Sequence, residues 1–234
     1  MEIVKHKIIA RIFTDLPEKF GVPRQSGLVE NLCGRIVFDP DFRNPDAVRG
    51  LEHFSHLWII WDFSLAHREE WSPTVRPPRL GGNNRVGVFA SRSPFRPNSI
   101  GLSAVKIVKV EPETPEGPVI YVKGVDMIDN TPIFDIKPYL PYSDSKTDAT
   151  GGFTDSEKFS RLNVVISPGV THNLDDNHLS TLTEILANDP RPQYHDDPTR
   201  VYGMTFAGHE VKFSVADNTL TVNNIIINKI DSSK

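Results

Sequence analysis

Short runs of alternating or β-branched residues, cut repeatedly by proline, glycine and Asn/Asp clusters, constrain this chain more than any other feature. Ile3 to Phe13 alternates between apolar and polar, Gly27 to Phe38 is strand-like, and Leu57-Trp58-Ile59-Ile60-Trp61 is a buried-strand run. Arg85 to Ala90, Ile100 to Val110, Val119 to Asp126 and Thr131 to Ile136 extend the series, with turns such as Pro112 to Pro118 between them. Asn44-Pro45 followed by Asp46 to Leu51 reads as a short capped helix. Six or seven short strands with few helices favour a mainly β fold closed into a barrel, because closure removes exposed sheet edges.

The polar stretch Pro141 to Gly152 marks a boundary, so a β-barrel domain is expected over 1–142 and a linker with a small α+β domain over 143–234. In the second part, Leu179, Leu182, Ile185 and Leu186 have helical spacing within Asp175 to Ala187. Val201 to Phe206, Glu210 to Val215 and Thr219 to Asn228 then read as a three-stranded meander, with a tight hairpin at Ala216-Asp217-Asn218.

Bulk properties bound the function without defining it. At 38% hydrophobic and 24% charged the chain is an ordinary globular sequence. A lone cysteine, Cys33, forms no internal disulfide and suits a reducing, cytoplasmic setting. The N-terminal MEIVKHKIIARIF lacks the apolar core of a signal peptide, and no run approaches the ~20 residues of a membrane span. No metal is expected: His53 and His56 stand three apart without further ligands and are read as partly buried, hydrogen-bonded residues. A G-x-G-x-x-G, a P-loop and a G-x-S-x-G elbow are all missing. A net charge of −4 leaves any nucleic-acid affinity to local patches.

Two segments do not behave like packing. Val75 to Leu102 carries Arg76, Arg79, Arg85, Arg92 and Arg96 among prolines and the Gly81-Gly82 pair, a density of guanidinium forks suited to phosphates, carboxylates and bases. Asp126 to Tyr142 combines Asp126, Asp129, Asp135, Lys137, Tyr139 and Tyr142. Strict alternation would put Thr131, Ile133, Asp135 and Lys137 on one face, and Pro132, Phe134 and Ile136 on the other. That polar face either lines a pocket or carries a structural Asp135–Lys137 ion pair. Gly21 to Gly27, GVPRQSG, is either a plain interstrand loop or a set of donors for a nucleotide-like ligand.

These segments carry a resemblance. GVPRQSG, RIVFDPDF (35–42), RGLEHFSHLW (49–58), RPPRLGGNNRVGVFASRSPFRPNSIGLS (76–103) and DNTPIFDIKPYLPY (129–142) together resemble the TrmO family of tRNA adenine N6-methyltransferases. RPQYHDDPTRVYGMTF (191–206) is similar to the second domain of its longer bacterial members. The resemblance implies a single-sheet barrel that binds S-adenosylmethionine and works as a homodimer. It also implies methylation of N6 of threonylcarbamoyl-adenosine beside the anticodon, with the anticodon stem-loop of tRNA as partner. Carried onto matching positions, the cofactor contacts are Pro23, Arg24, Gln25, His67, Arg68, Arg92, Leu102, Asp129, Asn130, Thr131 and Pro132. Ser99 and Asn130 depart from the family's proline and glycine, and asparagine tolerates the left-handed backbone such a turn needs.

The chemistry assigns further roles. Asp135 is the expected proton acceptor, oriented by Lys137 or Tyr139, with Tyr139 or Tyr142 stacking on the base. Arg76, Arg79, Arg96, Arg191 and Arg200 are expected substrate contacts. The competing expectation is a non-enzymatic barrel that binds an adenosyl ligand or RNA.

Overall fold

The computed structural model describes residues 2–77, 84–156, 160–192 and 197–228. Its strands are β1 (Ala10–Thr14), β2 (Cys33–Phe38), β3 (His56–Asp62), β4 (Thr74–Val75), β5 (Val86–Gly87), β6 (Ile100–Glu111), β7 (Val119–Lys123) and β8 (Thr131–Pro138). Two single-turn helices follow, α1 (Pro141–Asp144) and α2 (Phe153–Ser156). Then come β9 (Asn163–Ile166), α3 (Asp176–Ala187), β10 (Tyr202–Phe206), β11 (His209–Ala216) and β12 (Thr219–Ile227).

Six strands close a barrel in the order β1-β2-β7-β6-β3-β8, with β8 returning to β1, so the mainly β barrel expected from the sequence is what forms. All six pairings are antiparallel. The alternation along β3 is clean: Leu57, Ile59 and Trp61 point into the core, while His56, Trp58, Ile60 and Asp62 are partly exposed. Gly101 on β6 lies against Trp61, where an added Cβ would come within 2.2 Å of the indole, so only glycine lets that ring lie across the strand.

The second sheet runs β10-β11-β12-β9, and β9 joins β12 in parallel. The meander was legible as alternating runs, whereas β9 is four residues long with no turn signal tying it to β12. Asp175 caps α3 by accepting from His178 N at 2.8 Å, and Thr181, Leu182, Ile185 and Leu186 form its buried stripe. Each apolar side chain of that stripe contributes about 1.5–3 kcal/mol on burial. One continuous core runs from the barrel through Leu16, Val29 and Leu32 of the β1–β2 connection to Leu182, Ile185, Met204, Phe206 and Phe213.

Three expectations need correction. The regular β1 strand begins at Ala10 rather than Ile3. Arg85 to Ala90 holds only the two-residue β5, followed by a 3-10 turn over Val88–Ala90. The third concerns β8. Ile60 pairs with Asp135 but Trp61 pairs with Ile133, so Phe134 is an extra residue in the ladder. That bulge breaks the alternation. Ile133 and Ile136 both pack on the core, while Asp135 and Lys137 share the outer face.

Candidate active site

Antiparallel closure gathers three connections at one end of the barrel: 15–32 between β1 and β2, 63–99 between β3 and β6, and 124–130 between β7 and β8. Pro23, Arg24, Gln25, His67, Arg68, Arg92, Asp129 and Asn130 all sit on these connections, and Thr131 and Pro132 begin β8 beside them. The fold therefore brings together residues spread over more than a hundred positions of sequence.

Register links this end to the outer wall. Leu102 pairs with Ile60, and Ile60 pairs with Asp135, so these three side chains form one row across β6, β3 and β8. Two strand spacings, roughly 10 Å, separate the ends of that row. The next row is Ala104, Trp58 and Lys137. Lys137 Nζ lies 2.8 Å from Asp135 Oδ2 in a pair open to solvent. Tyr139 packs beside Trp58, with ring centroids 5.5 Å apart, and beside His56 at 6.2 Å. The Trp58 indole donates to Asp144 Oδ2 at 2.8 Å, and Leu140 N donates to the same oxygen. These donors, the Leu140 amide first, hold the Asp144 carboxyl below the usual carboxylate range. Tyr142 stands 85% exposed next to this group. The outer wall thus carries a carboxylate–ammonium pair flanked by an aromatic shelf. Of the two open readings of the Asp135 face, the ion pair forms, on an outer wall open to solvent.

At the barrel end, the guanidinium of Arg92 donates to Gln25 Oε1, which joins the second connection to the first. Arg68 lies over the Phe95 ring at 3.8 Å, and His67 Nε2 is 2.7 Å from Asp62 Oδ1. Arg96 donates to Ser91 O at 3.1 Å and Arg85 to Thr74 Oγ1 at 3.0 Å, so both shape their own loop. Asp129 Oδ1 accepts from Thr14 N at 3.0 Å, and Thr131 Oγ1 donates to Ile128 O at 2.8 Å. Those two side chains build the turn, in which Asn130 adopts φ 61°. Arg76 is exposed, while Arg79 and the Gly81-Gly82 pair lie outside the described residues.

In the second unit, Arg191 is closed on Asp189 by two contacts of 2.8 and 2.9 Å, with its side chain 12% exposed. Arg200 is exposed over the Tyr202 ring at 5.2 Å. Of the two arginines, Arg200 is the one presented to solvent. Arg24 Nη2 donates to the carbonyls of Asp189 and Arg191.

A buried polar chain at the barrel end was not singled out from the sequence. Trp61 Nε1 donates to Ser103 Oγ at 3.0 Å, and Ser103 Oγ donates to Asp126 Oδ1 at 2.6 Å. Burial pushes the Asp126 carboxyl up to about 6, against the pull of Ser103, of the Asp126 and Ser26 amides and of Arg92. Asp126 therefore links the barrel interior to the Ser26 amide, on the loop that carries Pro23 to Gln25, and lies within the field of the Arg92 charge. The signal was present: Gly101, Ser103 and Val105 share the inward parity of β6, where a serine needs a buried partner.

This residue set fits an adenosyl ligand that carries a charged amino-acid tail. Guanidinium and amide groups at Arg92, Arg68 and Gln25 suit a carboxylate, Asp62 and Asp126 suit cationic groups, and Leu102, 56% exposed, offers an apolar surface. Among the described residues no group of three His, Cys, Asp or Glu side chains is arranged to hold a metal ion, and no helix is long and apolar enough to cross a membrane.

Two family models match the chain, the tRNA-methyltransferase O N-terminal domain over residues 11–145 and the TrmO C-terminal domain over 160–227. A tRNA (adenine(37)-N6)-methyltransferase of Escherichia coli K12 is 41% identical over 208 residues, covering 86% of this chain and 88% of the relative. A Pyrococcus abyssi protein described as a "probable S-adenosyl-L-methionine-binding protein" is 30% identical over 151 residues, 64% of this chain and 76% of its own. The crystal structure of TrmO from Pseudomonas aeruginosa matches with a TM-score of 0.77 at 28% identity, covering 96% of this chain and 99% of that one.

Proposed function

The chain belongs to the tRNA-methyltransferase O family, and from that premise we propose that it transfers a methyl group from S-adenosylmethionine to N6 of a tRNA adenine beside the anticodon, with threonylcarbamoyl-adenosine as the substrate base. The observation that carries this reading is the row Leu102–Ile60–Asp135, which joins the proposed cofactor end to an exposed carboxylate and an aromatic shelf. A homodimer is part of the proposal, supported by the exposed apolar side chains Ile100, Leu102 and Val108 along β6. The region 1–142 is proposed as the catalytic domain and 143–234 as the unit that adds tRNA contacts.

Bound at the barrel end, S-adenosylmethionine supplies an electrophilic methyl group on a sulfonium. The chain's own residues do the rest. Arg92, Gln25 and Arg68 hold the charged tail, with His67 and Asp62 closing one side. The acceptor nitrogen, part of a urea, is a weak nucleophile until its proton leaves. Asp135 accepts that proton, and Lys137 Nζ, 2.8 Å away, holds the carboxylate in place. Tyr139, braced by Trp58, and the exposed Tyr142 stack on the extruded base. Arg76, Arg96 and Arg200, with Arg191 once released from Asp189, neutralise phosphates or the threonyl carboxylate.

The test is Asp135→Asn with Lys137 intact. Methyl transfer should fall at least a hundredfold, within the 10²–10⁴ range of general base catalysis, while S-adenosylmethionine binding stays within about twofold. Near-normal turnover in this variant would remove Asp135 from the mechanism.

A further inference from the structure

The connection 15–32 faces the barrel on one side and the second unit on the other. On the second unit's side, Ala207 N donates to Asp15 O at 3.0 Å, Thr205 N to Glu18 Oε1 at 2.8 Å, and Asn31 Nδ2 to Glu184 Oε1 at 3.1 Å. Gly21, at φ 97°, leaves so little room that an added Cβ would lie 2.5 Å from Met204 Cε of β10. A second set of contacts lies at the C-terminal end of α3. Asn188 donates through Nδ2 to Leu28 O at 3.2 Å and to Glu184 O at 2.8 Å. Arg24 Nη2 donates to Asp189 O at 3.4 Å and Arg191 O at 3.0 Å.

Asn188 Oδ1 is buried without a hydrogen-bond partner, at a cavity of about 30 Å³ lined also by Gly21, Pro23, Arg24 and Leu28. Leaving an amide oxygen unpaired inside a protein costs stability. What the asparagine gives in exchange is the donor that ties the loop to the helix end. Three consecutive residues then face in two directions. Arg24 reaches to the second unit, while Gln25 meets Arg92 and Ser26 N meets Asp126 on the barrel side.

We propose that the end of α3, through Asn188 and the carbonyls of Asp189 and Arg191, sets the conformation of Pro23 to Ser26 and with it the site's affinity for S-adenosylmethionine. Asn188 is a positioning residue, and the second unit is a brace for the cofactor loop as well as a tRNA contact. The inference rests on the reading of Pro23, Arg24 and Gln25 as cofactor contacts.

The experiment uses the full chain with Asn188→Ala, and Asn31→Ala as the comparison. The second change breaks a contact to the same helix away from Pro23 to Ser26. Equilibrium dialysis with labelled S-adenosylmethionine gives Kd, steady-state assays give KM for cofactor and tRNA separately, and urea melts give stability. Asn188→Ala should weaken cofactor binding about fivefold, equivalent to about 1 kcal/mol, and raise the cofactor KM in parallel. Its tRNA KM should stay within twofold, and kcat should recover at saturating cofactor. Asn31→Ala should leave cofactor Kd unchanged. If Asn188→Ala does not fold, Asn188→Ser, compatible with a helix end but too short to reach Leu28, carries the same expectation. Unchanged cofactor affinity in the Asn188 variant, or equal weakening in both variants, overturns the inference. A wild-type chain that binds no S-adenosylmethionine would instead overturn the proposed function, and this inference with it.

Discussion

Replacing Asp126 with asparagine should change how stability depends on pH, and the size of the change follows from the site. The carboxyl is raised from 3.8 to about 6, with burial as the main cause and the Ser103 hydroxyl as the largest opposing influence. A carboxyl raised on folding is bound more tightly to its proton in the folded state than in the unfolded one. Below its unfolded value both states are protonated and nothing is lost. As pH rises from about 4 to above 6 the folded state gives up stability, reaching about 3 kcal/mol for a shift of about two units. Part of the Asp126 residue reaches solvent, so this is an upper figure. Asparagine keeps the shape, removes the titration and weakens the hydrogen bonds by an amount independent of pH. Comparing the two proteins at two pH values cancels that loss. Urea unfolding at pH 5 and pH 8 should show the wild type losing about 1.5 kcal/mol relative to Asp126→Asn between them. A difference that stays flat, or that favours the wild type at pH 8, would refute the buried-carboxylate argument.

Gly101→Ala should destabilise the barrel by at least 1–3 kcal/mol, as for an overpacked core, because the new methyl meets the Trp61 ring; an unchanged urea midpoint would contradict that packing. Arg92→Ala should weaken S-adenosylmethionine binding about tenfold or more, as expected for a lost charge-assisted contact of about 1.5–3 kcal/mol, with a melting temperature close to wild type. Equal affinities would take Arg92 out of the site. Tyr139→Ala should raise the tRNA KM roughly tenfold, from stacking worth ~1–3 kcal/mol per base, and leave cofactor Kd unaltered; the reverse pattern would move Tyr139 to the cofactor side.

The barrel was legible because β3 alternates along its whole length and β6 from Ile100 to Val105, and Leu57, Ile59 and Trp61 announce which parity faces inward. The bulge at Phe134 was not legible. Alternation presumes a regular ladder, and one extra residue moves Ile136 to the core without changing the sequence pattern. The candidate residues were found as motifs, but their arrangement depends on register, which no local signal gives. That Leu102 and Asp135 share a row follows only from their pairing with Ile60. Asp126 stands in the sequence as one carboxylate of several; its partner Ser103 is 23 positions away, and Trp61, which bonds Ser103, is 42 positions from that serine, so burial could not be read locally. Arg24 is legible as a donor in a glycine–proline turn, but its bonds to the carbonyls of Asp189 and Arg191 depend on the packing of the second unit and have no local signal.

The central claim is base methylation that depends on the threonylcarbamoyl group, and radiolabelled methyl transfer from S-adenosylmethionine tests it most directly. The purified chain should label tRNA that carries threonylcarbamoyl-adenosine and leave the same tRNA without that group unlabelled. Measurable cofactor binding with no label in either tRNA would contradict the account and leave a barrel that binds its ligand without transferring a methyl group.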